Sequence, residues 1–199
     1  MVTDQGSAAA CKISREGSTL FAMSGLVHDR AAGLDVAALA RGVAKGSFDI
    51  PEKVDRFVAD VQPGLQSAVN NLKRDSLADY DYLRAGHPVL QAIFADLQGG
   101  APVMAMVGFN LTPDGALSPQ KTVVASGSPR LIYAGQQGRI REYLRSHRDW
   151  FARANDGFIK DLVQLEVDAN SGLVGGPVDL VALDANGPRW LQKKPECGR

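Results

Sequence analysis

The 199-residue chain has few residues suited to stapling itself, carrying a net charge or spanning a membrane. Cysteine occurs twice, as Cys11 and Cys197 near opposite ends. Two cysteines build no disulfide framework, and with three scattered histidines they build no zinc site. An excess of one charge is also missing, because 22 basic residues balance 22 acidic ones. Without a basic stripe there is no footprint for nucleic acid or anionic lipid, and neither partner is expected. No apolar run approaches the roughly 18 to 20 residues needed to cross a bilayer, so no membrane is expected either. The opening Met1-Val2-Thr3-Asp4-Gln5-Gly6 is polar at once and does not read as a secretory signal. The expectation is a soluble protein, with the cytoplasm favoured. Aromatic residues make up 7%, but hydrophobic residues as a whole reach 45%. That is enough for one domain over residues 1–199 with a sizeable core, and it excludes disorder.

The order of residues is more informative. Residues 20–27, LFAMSGLV, form a short apolar run whose length suits a strand buried on both faces. Residues 34–44 present a broad apolar face rich in alanine, which predicts a short helix ending near Gly46. A longer helix follows, with Asp49 just upstream and Pro51 in its first turn. Val54, Phe57, Val58, Val61, Leu65, Val69 and Leu72 form its continuous apolar stripe. Pro63-Gly64 falls inside that stripe and predicts a kink, or two nearly coaxial helices. Residues 75–100 carry less pattern, with a brief helical or strand piece at 93–97.

From Pro102 the period shortens. Runs at 103–109, 122–126 and 131–134 are separated by Pro113-Asp114-Gly115 and Ser126-Gly127-Ser128-Pro129, which predicts a three-stranded meander. Two helices follow, one through Ile140, Tyr143, Leu144 and His147, the other through Phe158, Ile159, Leu162, Val163 and Leu165. Asp184-Ala185-Asn186-Gly187 then marks a closing hairpin. Segregated blocks of this kind give an α+β domain with mostly antiparallel sheets and helices outside them.

The common catalytic sets find little support. There is no G-x-S-x-G elbow and no phosphate-cradling glycine loop after a strand. His147, between Arg145 and Arg148, reads as a surface residue, and His87 reads as a loop residue before Pro88. Cys11 beside Lys12 reads either as a small buried filler or as a thiol activated by the neighbouring ammonium. Lys12 stands just before an apolar strand that ends at Ser24-Gly25, with Asp29 close behind.

The run CKISREGSTLFAMSGLVHD, from Cys11 to Asp29, resembles the third and fourth strands of proteasome-type N-terminal-nucleophile hydrolases. Members carry a Lys-Ile pair, a tight turn, an apolar strand, a glycine and an aspartate that opens a helix. Val174-Gly175-Gly176-Pro177-Val178-Asp179-Leu180, with the later Asp184 to Trp190 turn, resembles that family's last hairpin. The intervening blocks fall in the family order. The resemblance implies a four-layer sandwich of helices, two mostly antiparallel sheets and helices. It implies hydrolysis of a peptide or small amide, as in threonine proteases, with no cofactor and no metal.

Carried over residue by residue, Lys12 lowers the proton affinity of the nucleophile, and Asp4 supports Lys12 by charge pairing. Gly25 presents its backbone N–H to the oxyanion, and Met23 and Val27 line the substrate's first pocket. The nucleophile itself is unknown. In the family it is the first residue of the mature chain, on a strand well before the aspartate, whereas only three residues precede Asp4. A truncated chain, a strand supplied by a separate segment and a descendant without catalysis all fit. Val174 also stands where active members have a serine, and Asp168 and Ser171 lie upstream of it. The alternative reading is a non-catalytic assembly or binding module that keeps the sandwich. Its contact would be the long helix around Val54 to Leu72, and its partner a further copy in a homo-oligomer.

Overall fold

Gly17 turns the chain between two antiparallel strands, β1 (Ile13–Glu16) and β2 (Thr19–Gly25), with Ile13 opposite Ala22 and Glu16 opposite Thr19. This is a computed structural model, which describes residues 11–125, 132–135, 137–152, 155–170 and 178–193. A two-residue bridge, β3 (His28–Asp29) with β4 (Leu34–Asp35), leads into helix α1 (Val36–Lys45). Asp35 starts that helix by accepting from the Ala38 N–H at 2.9 Å.

Helix α2 (Ile50–Asp75) starts in the same way, with Asp49 accepting from the Glu52 N–H at 2.8 Å and Pro51 in the first turn. It runs through Pro63 as one helix of 26 residues rather than two. Proline removes a single hydrogen bond, and the buried stripe on either side holds the helix together. Val54, Phe57, Val61, Leu65 and Val69 are at most 1% exposed. Most of the stripe packs into the chain's own core, with Val58 and Leu72 partly buried at its margin. Helix α3 (Leu77–Arg84), which the sequence pattern did not reveal, follows directly.

Strands β5 (Leu90–Gln98), β6 (Ala101–Leu111) and β7 (Leu117–Ala125) form the meander. Its first strand is β5, and residues 132–134 are not a strand, so the expected strand at 131–134 is replaced by one earlier in the chain. The sheet order is β1-β2-β5-β6-β7, antiparallel throughout. Because β2 and β5 are neighbours, the helices between them return to one sheet face. Phe94 of β5 meets Phe57 of α2 edge-on at 5.1 Å and Phe21 of β2 at 6.1 Å. With Ala92, Val107 and Phe109, these rings fill the layer between sheet and helices.

Helix α4 (Gly138–Ser146), a 3-10 turn (Trp150–Ala152) and helix α5 (Asp156–Ala169) come next. A hairpin of β8 (Leu180–Asp184) and β9 (Gly187–Gln192) completes the described elements. Strand β8 packs on β5 and β6, the same central strands that α2 covers, so it lies on the sheet's other face. The observed class is therefore α+β, an antiparallel five-stranded sheet with helices on one side and a hairpin on the other.

Candidate functional site

Gly25 ends β2 with φ of +103°. A Cβ there would stand 2.4 Å from the Val89 carbonyl oxygen, so a side chain is shut out by conformation and by space together. The crowding arises because the next residue, Leu26, donates its N–H to that oxygen at 2.8 Å. Met23 and Val27, two residues to either side, are half-buried and pack against the core. The Val27 carbonyl also accepts from the Val36 N–H at 3.0 Å, tying the strand exit to the start of α1.

Lys12 is exposed and lies one residue before β1. Continuing the register of Ile13 with Ala22 places Lys12 level with Met23, two residues from Gly25 on the adjacent strand. At ordinary strand spacings that separates their Cα atoms by about 8 Å. Lys12 and Gly25 thus share one end of the sheet. The Lys12 N–H also reaches Asp179 Oδ2 at 3.4 Å, just before β8. Asp4, Ser171 and residues 174–177 lie outside the described residues.

Other readings change. Asp29 opens no helix. It accepts from the Ala32 N–H at 2.9 Å and closes a turn, while Asp35 starts α1. Cys11 is exposed and disulfide-bonded, so it is neither a buried filler nor an activated thiol. His147 stacks on Tyr143 at 4.0 Å, and its Nδ1 lies 3.0 Å from the Tyr143 carbonyl oxygen, so it finishes α4 rather than standing free in solvent. Asp168 is exposed on α5 and accepts from Gln164 Nε2 at 2.7 Å.

A second cluster was not anticipated. Lys53 of α2 reaches into the sheet, its side chain 4% exposed, and donates to Asp96 Oδ2 at 3.2 Å and to Thr19 Oγ1 at 2.5 Å. Thr19 in turn donates to Asp96 Oδ2 at 2.6 Å. Burial on its own would push the Asp96 carboxyl up. Hydrogen bonds from Thr19, Ser18, the Leu97 N–H and Lys53 outweigh it and hold the group below the usual carboxylate range. Lys53, Asp96 and Leu97 line an open, polar cleft of about 490 Å³ together with Ser18, Ala44 and Phe48. Thr19 is 1% exposed and its proton is committed to Asp96, so it is not available as a nucleophile. The trio joins α2, β2 and β5 across their buried interface.

Among the described residues no group of three or more His, Cys, Asp or Glu side chains is placed to hold a metal ion. No helix of the described residues is long and apolar enough to cross a membrane. Comparison with family models, curated proteins and solved structures finds no match to this chain.

Proposed function

We propose that this chain is an amide-hydrolysing domain of the proteasome-type N-terminal-nucleophile class, built as a four-layer sandwich. In this reading Lys12 and Gly25 flank the seat of a nucleophile that we assign to no residue of the chain. The hydroxyl or thiol in that seat attacks the amide carbon, and the Lys12 ammonium favours its deprotonated form. The oxyanion accepts from the Gly25 N–H, the amine leaves with a proton, and water resolves the acyl intermediate. Met23 and Val27 shape the first substrate pocket.

The observation that carries this reading is one of placement. An antiparallel sheet bears a helix pair on one face and a separate β-hairpin on the other, and Lys12 and Gly25 lie toward the same end of the neighbouring strands β1 and β2. The hairpin supports a second sheet layer, and α4 packed on α5 supplies a second helix pair for such a sandwich.

The test is covalent labelling by a peptide vinyl sulfone, followed by intact mass. The 199-residue chain is expected to remain unmodified. The longest reading frame containing it is expected to gain one adduct, on an N-terminal Thr, Ser or Cys, and to lose it in Lys12→Ala. An adduct on the 199-residue chain that survives Lys12→Ala overturns the proposal, as does a longer product that never labels.

A further inference from the structure

Three described contacts lead from the first strand to the end of the last. The Lys12 N–H donates to Asp179 Oδ2 at 3.4 Å. Asp179 lies between Val178, whose carbonyl accepts from Gln192 Nε2 at 2.7 Å, and Leu180, which pairs with Gln192 in the β8–β9 ladder. The end of β9 therefore lies beside the residues that hold the backbone next to Cys11. Cys11 is disulfide-bonded. The sequence has one other cysteine, Cys197, five residues beyond Gln192 and outside the described residues. Five residues span up to about 17 Å, ample to reach the start of β1.

We infer that Cys11 and Cys197 are joined within one chain, and that this bond is a redox-sensitive strap tying the end of the β8–β9 hairpin to the start of β1. The hairpin needs such a strap. Leu180, Val181, Ala182 and Leu183 are all only half-buried, whereas Phe94 and Phe109 at the sheet centre are fully buried. The bond closes a loop almost as long as the chain, the arrangement in which a cross-link restricts the unfolded state most.

Forming it takes two thiols and an exchangeable disulfide as oxidant. One thiolate attacks the donor disulfide and expels a thiolate. The second thiolate then displaces the donor from the mixed disulfide, leaving the donor reduced by two electrons as a dithiol. Such a bond persists where the surroundings are oxidising, which replaces the cytoplasmic expectation with an oxidising compartment.

The test uses the full chain, with thiols blocked by maleimide when the source cells are broken open. Mass analysis is expected to show no maleimide on the denatured, unreduced protein and two after reduction. A digest without reductant is expected to yield the Cys11 peptide linked to the Cys197 peptide. Two thiols blocked at lysis, or a disulfide-linked dimer, overturns the inference. Reduction of the folded protein is expected to lower Tm by about 5–15 °C. It is also expected to speed hydrogen exchange over residues 180–192 by at least about tenfold, leaving β5 and β6 protected. Unchanged exchange in the hairpin overturns the strap, and because the wild-type chain is used, no variant has to fold.

Discussion

Lys53 Nζ and Asp96 Oδ2 stand 3.2 Å apart where α2 crosses the sheet, with the Thr19 hydroxyl bonded to both. Lys53 occupies the inward face of α2 among Ile50, Val54 and Phe57, and Asp96 follows Leu90, Ala92 and Phe94 on the helix side of β5. Each charge therefore costs desolvation that the other, together with the hydrogen bonds around Thr19, offsets.

Removing one partner is accordingly far worse than removing both. Lys53→Met is expected to destabilise the fold by about 3 kcal/mol or more, because it strands a buried carboxylate. The pair Lys53→Met with Asp96→Leu is expected to cost well under the sum of its two parts. Urea denaturation followed by the fluorescence of Trp150 and Trp190 gives the four corners of this cycle. Strict additivity would mean the two groups do not depend on each other.

The same carboxylate sets an acid limit. Its folded pKa lies below the unfolded value, so the unfolded state takes up protons first as pH falls. The stabilisation is complete above the unfolded value of about 4 and is lost as pH falls through the folded one. Stability is thus expected to decline below about pH 4 in the native chain, and Asp96→Asn is expected to flatten that decline while lowering stability at pH 7. The pH dependence of the urea midpoint reads both effects.

The amphipathic and turn-bounded segments were legible because one dominant signal marked each. An alanine-rich apolar face located α1, Asp49, Pro51 and a stripe at helical spacing located α2, and Asn186-Gly187 located the closing hairpin. Helix α3 escaped because its buried residues are just Tyr80 and Leu83 in eight, too few to set a period. β5 was obscured by Gln91 and Asp96, polar residues that the structure buries with partners rather than exposes. Lys12 and Gly25 were legible as a lysine and a glycine flanking an apolar strand. The Lys53 cluster was not, because Thr19, Lys53 and Asp96 come from three distant segments. A lysine inside the α2 stripe and an aspartate on the inward alternation of β5 were the traces it left.

Gly25 and Gly17 both have positive φ, yet they differ in surroundings. Gly17, at +60°, has open space where a Cβ would go. Gly17→Ala is expected to cost about 1 kcal/mol, the strain of the left-handed region alone. Gly25→Ala adds a collision with the Val89 backbone and is expected to cost about 3 kcal/mol or more. Equilibrium denaturation of the two variants makes the comparison, and equal losses would show that the close approach at Val89 relaxes freely.

Glu166 tests a buried carboxylate whose partners are main-chain amides rather than a cation. It is 2% exposed, and its Oε1 accepts from the N–H groups of Arg139 at 2.6 Å and Ile140 at 3.0 Å, two of the unpaired donors that begin α4. Its Oε2 takes Asn170 Nδ2 at 2.8 Å. One side chain of α5 thus fixes the start of α4, with its charge set against the positive end of the helix dipole. Glu166→Gln keeps an acceptor but gives up the charge, and about 1 kcal/mol is expected to be lost. Glu166→Ala leaves the buried Ile140 amide and the part-buried Arg139 amide without this acceptor and is expected to cost about 2 kcal/mol. Hydrogen exchange at Arg139 and Ile140 separates this from general loosening, because those two amides are expected to lose protection in Glu166→Ala while the amides of β5 and β6 keep theirs. Uniform loss across the sheet would assign Glu166 to the global core instead.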